Sequence, residues 1–425
     1  MPRKLRRRSR LNGEAILLSQ PEKETRIIQK KKVLISWVWV ASCSAAIFAT
    51  VPVGRSIQKF VYNNWGREAF IYFVLGVLAA VILVVLYFLI IKFKTKSSSN
   101  YIWLIVIGTL YIYFTLKLRN IPEEAVHFLE YGLLGFFLFK ALSHHVKDKS
   151  VYLSATLFAL LIGTFDEILQ WMIPQRYWDF RDAGLNGLSG GLFQLAIWKV
   201  ISPKTISEKV NPNSIKIFSS ILGACLMLLG LCASNNPRRV ANYTKLMPWL
   251  SFLQKEEPMS EFGYKYKDSE IGIFYSRFSP ENLRKEDNMK NEQYARILDE
   301  SKNMDYEQFL KEYNPINNPF LYELRIHIFR RNTYYEKGNS YFIAYKENLI
   351  LQKYFTQTLQ RSIFKWDENK IKEIGDSIDK SKFYESPVSA SLFTNFTEKS
   401  MWIAIFTLLF LLMLLNLGWR FRKRH

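Results

Sequence analysis

The sequence predicts an all-α polytopic membrane bundle of about eight transmembrane helices, with an extracytoplasmic α+β domain inserted before the last helix. Three observations predict it. Apolar runs of about 20 residues recur along the chain, the length a helix needs to cross roughly 30 Å of hydrocarbon. Positive charge is segregated: residues 1–32 carry eleven Lys/Arg against three acids, and 33–233 carry 17 against 10. Residues 234–400 carry 26 against 24, so this stretch is nearly neutral and ordinary in composition although the whole chain is 49% hydrophobic.

The elements follow in order. A basic cytoplasmic arm, 1–32, precedes two spans within 33–100, at 33–53 and 70–91. A core at 101–202 holds spans 101–118, 121–142, 151–173 and 183–202, of which the second and fourth are the least apolar and are open to a re-entrant path. Residues 203–233 contain a seventh span at 215–233. The soluble domain fills 234–400, and 401–425 holds the last span, 401–419, and a basic tail. Lys30–Lys32, Lys92, Lys94, Lys96, Lys147, Lys149, Lys204, Lys209, Lys216 and the terminal RFRKRH all fall on one side if the spans alternate, which places them in the cytoplasm and 234–400 outside it. Val40-Ala41-Ser42-Cys43 fits a lipobox, but the apolar run continues to Val53, so the segment reads as an uncleaved anchor. Cys43, Cys225 and Cys232 all lie in apolar runs and give no disulfide framework. The basic arm has no interleaved aromatics, which argues against nucleic acid as a partner.

Within 234–400, "IGIFYSRF" (271–278) reads as a strand, and 281–301, 305–313 and 348–363 as helices, the last with Leu351, Phe355 and Leu359 on one face. "YELRIHIFRRNTYYEKGNSYFIAYKEN" (322–348) reads as a hairpin turning at Lys337-Gly338-Asn339, with His327 on a strand and Tyr334, Tyr335, Tyr341, Phe342 and Tyr345 in its core. "KLMPWLSFL" (245–253) suits the outer membrane interface, where Trp is favoured. His144 and His145 sit in a cytoplasmic loop without further metal ligands.

Chemistry concentrates at 121–190. His127 lies about 9 Å into its span and Asp166 and Glu167 about 10 Å from the same face of theirs, at 1.5 Å per residue. Asn186 enters the sixth span from that face too. Glu123, His127 and Tyr131 share a helix face, with Glu130 adjacent to His127; Asp166 pairs with Gln170, and Asp182 with Asn186 and Gly190. Gly187 and Gly191 form a G-x-x-x-G step for close helix approach. Ionisable groups at this depth face a bundle interior or a wet cavity.

These residues resemble the VanZ-like family of bacterial membrane proteins, whose pattern runs H-F-x-x-Y, D-E-x-x-Q, R, D and D, then N-x-x-G. It stands here as His127-Phe128-Leu129-Glu130-Tyr131, Asp166-Glu167-Ile168-Leu169-Gln170, Arg176, Asp179, Asp182, and Asn186 with Gly190. The resemblance covers about 101–202. The chain departs from it in carrying Glu123-Glu124 where members often carry Asp-Lys. The family is named after a protein linked to glycopeptide resistance, so the resemblance implies a role in the bacterial envelope at the cytoplasmic membrane.

Several readings stay open at this point. A binding site for a lipid-linked or other polar envelope substrate would use Arg176 and Arg181 on an anion. His127 is then a proton carrier oriented by Glu123 or Glu130. Asp166 and Glu167 are a second acid/base or, with Asp179 and Asp182, oxygen ligands for a divalent cation such as Mg²⁺ or Ca²⁺. Alternatively, Arg176 and Arg181 neutralise Asp166, Asp179 and Asp182 in an ion network that fixes helix packing. A transporter or flippase is a further class, although no midplane acid or half-helix repeat supports it. Last, the bundle anchors a domain that binds a periplasmic protein or glycan.

Overall fold

The computed structural model describes residues 20–118, 122–173, 176–255, 258–338 and 340–421, without the side chains of 20–25, 122–123, 255 and 419–421. Most of the predicted basic arm, Asn339 and the last four residues lie outside the described residues. Among the described residues seven helices are long and apolar enough to cross a membrane, so this is a multi-pass membrane protein. They are α1 (Gln20–Trp65), α2 (Ala69–Tyr87, extended by a π-helical turn to Lys92), α3 (Ser98–Lys117), α4 (Pro122–Leu142), α5 (Ser150–Trp171), α7 (Pro212–Ala233) and α15 (Glu398–Phe421). Between α5 and α7 lies α6 (Phe180–Ala196), shorter and rich in glycine, which runs on through a π-helical turn, Ile197–Ile201.

Contacts at its two ends show that α6 traverses the bundle. At its start, Arg181 meets Glu124 of α4. At its far end the Asn100 side chain of α3 donates to the Val200 carbonyl, 2.6 Å, and Lys149, just before α5, lies over the Trp198 ring. Glycine makes this passage possible. A Cβ added to Gly190 would lie 2.6 Å from Cβ of Ala159, one at Gly187 3.1 Å from Leu160, and one at Gly191 3.1 Å from Thr156. A helix whose backbone comes this close to α5 is held by packing rather than by lipid contact. The opposite flank meets α4, where Gly135 would contact the Gly190 backbone at 3.2 Å.

Val40 and Ile47 of α1, Tyr131, Leu134 and Leu138 of α4, Ala155 and Ala159 of α5, and Ile221 and Cys225 of α7 form one buried core. Val74, Leu78, Ile107 and Tyr111 pack α2 and α3 against Phe128 and Leu192. The first span is much longer than predicted: α1 continues from Val53 to Trp65, so the expected exterior loop 54–69 is largely helix. Hydropathy ends where the lipid ends, but backbone hydrogen bonding goes on.

The segment before α15 holds α8 (Pro237–Leu246), a 3₁₀ stretch (Pro248–Lys255), the antiparallel pair β1 (Tyr264–Asp268) and β2 (Gly272–Ser276), then α9 (Pro280–Glu300), α10 (Tyr306–Glu312), α11 (Pro319–Glu336), α12 (Tyr341–Tyr354), α13 (Thr356–Arg361) and α14 (Glu368–Asp376). The register pairs Tyr264 with Ser276 and Asp268 with Gly272. The strand at 271–278 and the helices at 281–301 and 305–313 are as expected. Residues 348–361 are helical apart from a break at Phe355, two residues short of the expected end, and Leu351, Phe355 and Leu359 share one core.

The expected hairpin at 322–348 is wrong. It is the helix pair α11–α12, and His327 lies on a helix. Pro319 occupies the first turn, where its missing N–H costs nothing, and Gly338 takes φ +61° just past the end. Leu321, Leu324 and Ile328 are fully buried, a spacing of three and four rather than two. The domain is therefore mainly helical with one small sheet. It sits on the end of the bundle where α6 begins: Phe393 packs on Phe180, and Trp171, Cys232, Val240, Leu250 and Leu253 form a shared cluster.

Candidate functional site

The α5 sequence places Asp166, Glu167 and Gln170 within its last two turns, all buried. The Gln170 amide organises them: its nitrogen donates to Asp166 Oδ2 at 3.2 Å and to Glu167 Oε1 at 3.0 Å, and its oxygen accepts from Arg176. Asn186 of α6 reaches Glu167 Oε1 at 3.5 Å. That contact requires Gly163, where a Cβ would lie 2.7 Å from Asn186 Cβ. The face shared by Asp182, Asn186 and Gly190 thus does two jobs, polar at the helix start and close-packed one turn deeper.

On α4, Nδ1 of His127 lies 3.1 Å from Glu130 Oε2, a charge contact without aligned hydrogen-bond geometry. Tyr131 is fully buried, and its hydroxyl lies beside the Asp166 carboxylate, again without alignment. Asp166 Oδ1 has no hydrogen-bond partner among the described residues. Side chains of α4, α5 and α6 meet here: His127, Glu167 and Asn186 line one cavity. Glu123 lies on α4, but its side chain is outside the described residues.

Arg181 behaves differently from Arg176. Its guanidinium lies 2.9 Å from Glu124, 3.1 Å from Asp182 and 3.6 Å from Asp179. Asp179 also caps α6, accepting from the Arg181 N–H at 2.7 Å. Glu124 is thus a counter-charge for Arg181. This half of the cluster is the ion network weighed from the sequence.

The other half lines a cavity of ≈ 400 Å³ at the end of the bundle, where His127, Glu167, Gln170, Arg176 and Asn186 meet Arg55 and Gln58 of α1. Glu124, Asp179, Arg181 and Asp182 line it too, while Asp166, Glu130 and Tyr131 are not among its lining residues.

No family model, curated protein or solved structure matches this chain.

Arg55 and Gln58 were missed because they lie beyond the apolar run of α1. Their i, i+3 spacing, followed by Tyr62 one turn on and bonded to Gln58 at 3.3 Å, is the helical signal that would have found them. The expected cation ligands do not converge: among the described residues no three His, Cys, Asp or Glu side chains are arranged as a metal site. Asp179 and Asp182 face Arg181 instead. The cavity can hold a polar group by hydrogen bonds from amides and guanidiniums, beside a histidine next to a carboxylate. The described wall offers no Ser, Thr or Cys nucleophile.

Proposed function

We propose that this cavity binds the polar headgroup of a lipid-linked envelope substrate from the outer leaflet of a bacterial cytoplasmic membrane, with the 234–400 domain outside the cytoplasm. The observation that carries the reading is the cavity itself. Polar side chains of four helices (α1, α4, α5 and α6) surround open space at the membrane-proximal end of the bundle. A network serving only to lock helices would close on itself at interior packing density. Arg55 and Arg176 supply donors for phosphate or carboxylate oxygens, and Gln58, Gln170 and Asn186 suit hydroxyl or amide groups. The VanZ-like pattern in 101–202 is in keeping with an envelope role, and the basic residues at the opposite end of the bundle favour this orientation.

The test is native mass spectrometry of the purified protein, comparing wild type with Arg176→Gln, Asn186→Ala and Lys204→Gln. A copurifying lipid-linked species should be lost from the first two and kept by Lys204→Gln, since Lys204 is exposed and does not line the cavity. Equal retention in all three would sink the reading. Orientation is tested separately with Ser269→Cys, exposed in the β1–β2 loop. Labelling by an impermeant thiol reagent in intact spheroplasts is expected, and labelling only after lysis would reverse the topology.

A further inference from the structure

Among the described residues β1 has a neighbouring strand on one edge only. The far side of β2 is covered by 384–386, where the Ile273 N–H donates to the Tyr384 carbonyl at 2.9 Å and the Ser386 N–H to the Ile273 carbonyl at 2.9 Å. Along β1 lies a groove of ≈ 570 Å³. Lys265 and Lys267 of β1 and Arg284 of α9 line it, with Tyr264 and Phe396 as flanking rings. No Asp or Glu is among the described residues lining it. Asp268, the nearest acid along the strand, is engaged elsewhere, by the Glu270 N–H at 2.9 Å, Lys353 at 3.2 Å and the Tyr354 hydroxyl at 3.2 Å.

Lysines on an open strand edge can serve only to discourage pairing with another chain. Arg284 has no such purpose, because it stands on a helix outside the sheet, yet it lines the same space. Three cations border this groove, Lys265 with its ammonium over the Tyr275 ring at 5.6 Å from the centroid, and their combined field favours an anion. The position of the groove says which kind. Phe396 and Thr397 immediately precede α15, the last membrane helix. The Gly263 N–H, at the start of β1, bonds to the Phe393 carbonyl at 3.0 Å, and Phe393 rests on Phe180 at the end of the bundle. One end of the groove therefore lies at the bilayer surface. The other, at Lys267, is about 13 Å further along the strand at ~3.3 Å per residue.

We propose that this groove is a binding site for the phosphate-bearing headgroup of an anionic membrane lipid, which stands up from the bilayer along β1 against Lys265, Lys267 and Arg284. The site is distinct from the intramembrane cavity and does not depend on how that cavity functions.

The experiment is native mass spectrometry of the full chain in detergent, titrated with phosphatidylglycerol and with phosphatidylcholine. Wild type should hold phosphatidylglycerol with about a tenfold preference at this site, a preference that falls as salt rises. The combined variant Lys265→Gln, Lys267→Gln, Arg284→Gln should bind one phosphatidylglycerol fewer per chain. A control with the same charge loss at exposed positions away from the groove, Lys302→Gln, Lys311→Gln, Lys337→Gln, should bind as wild type does. Should the combined variant melt early, Arg284→Gln alone, exposed on α9, carries the comparison. Equal binding by the groove variant and the control overturns the proposal. Displacement of the lipid by equimolar inorganic phosphate overturns it in favour of a soluble phosphate. Binding of a poly-glutamate peptide in place of phosphatidylglycerol overturns it in favour of strand addition at the open edge.

Discussion

Glu347 is a fully buried charge in the 234–400 domain, and its replacement by Gln gives a sharp test of how the α11–α12 pair is held. The side chain is fully buried. It faces His327 Nδ1 at 2.5 Å and accepts from Arg330 Nε at 3.1 Å, Ser386 Oγ at 2.9 Å and the Tyr384 hydroxyl. Glu347→Gln keeps the volume but leaves one acceptor oxygen and places an NH₂ where an acceptor was. Removing one partner of a buried ion pair costs roughly 3–5 kcal/mol. Arg330 is partly exposed, so water recovers some of the loss and the lower end, about 3 kcal/mol, is expected. For a domain of this size that is a fall of roughly 6–12 °C in melting temperature.

The same residue gives a pH signature. Burial alone would raise the Glu347 pKa, but the adjoining His327 and the donors around the carboxylate outweigh it, and the folded value lies below the ordinary 4.5. The stabilisation is therefore fully present above 4.5 and is lost as pH falls through the depressed folded value. Hydrogen exchange of peptides covering 319–354, read by mass spectrometry, localises the effect. Protection in the variant should fall relative to wild type at neutral pH, and the gap should narrow as acid neutralises the wild-type carboxylate. A variant within about 0.5 kcal/mol of wild type, or a gap independent of pH, would refute the charge-centred account of this core.

Three further outcomes are expected. Gly190→Ala puts a methyl 2.6 Å from Ala159 Cβ, so over-packing should cost about 1–3 kcal/mol, seen as a lower melting temperature in detergent; no change would mean that α5 and α6 are less closely packed. Gly272→Ala places a Cβ 2.1 Å from the Tyr384 carbonyl oxygen at φ +110°, and should destabilise the domain by at least about 2 kcal/mol; an unaltered melt would contradict the close β2–384 contact. Arg181→Gln removes ion pairs from a side chain 55% exposed, so solvent screening should hold the loss to about 1 kcal/mol or less; a loss above about 3 kcal/mol would make this ion network the main lock of the bundle.

Much of this was legible from residue spacing. The length of the apolar runs located most of the spans, and the Gly187–Gly191 step gave a contact face of α6 before any neighbour was known. That His127, Glu167 and Asn186 would meet followed from the alternation of spans and a rise of 1.5 Å per residue. What escaped had a physical reason in each case. Hydropathy reports the solvent around a helix rather than its hydrogen bonding, so the end of the apolar run at Val53 hid Arg55 and Gln58. The run from Arg325 to Tyr335 is rich in strand-favouring side chains, and Gly338 serves equally as a hairpin turn or as the residue past a helix end. The period had to decide: Glu323, His327 and Arg331, all buried and four apart, form one helix face, whereas His327 taken alone reads as a residue alternating with apolar neighbours in a strand.

The division of the polar cluster also bears on why so many charges sit at this depth. Asp179 is committed to capping α6 and Arg181 to three carboxylates, so these residues are accounted for by folding alone. A helix starting at Phe180 needs that cap, because its first turn exposes N–H groups close to the bilayer. Glu167, Gln170 and Asn186 are not accounted for in this way. They are buried, bonded chiefly to one another, and turned towards open space with Arg176, Arg55 and His127. An apolar wall would pack α5 against α6 at least as well, since a buried polar network seldom adds stability over hydrophobic residues of the same shape. The same two helices already show that alternative one turn deeper, at Gly190 and Ala159. The change from apolar contact to polar wall within a single turn is what a binding site needs and what helix packing does not.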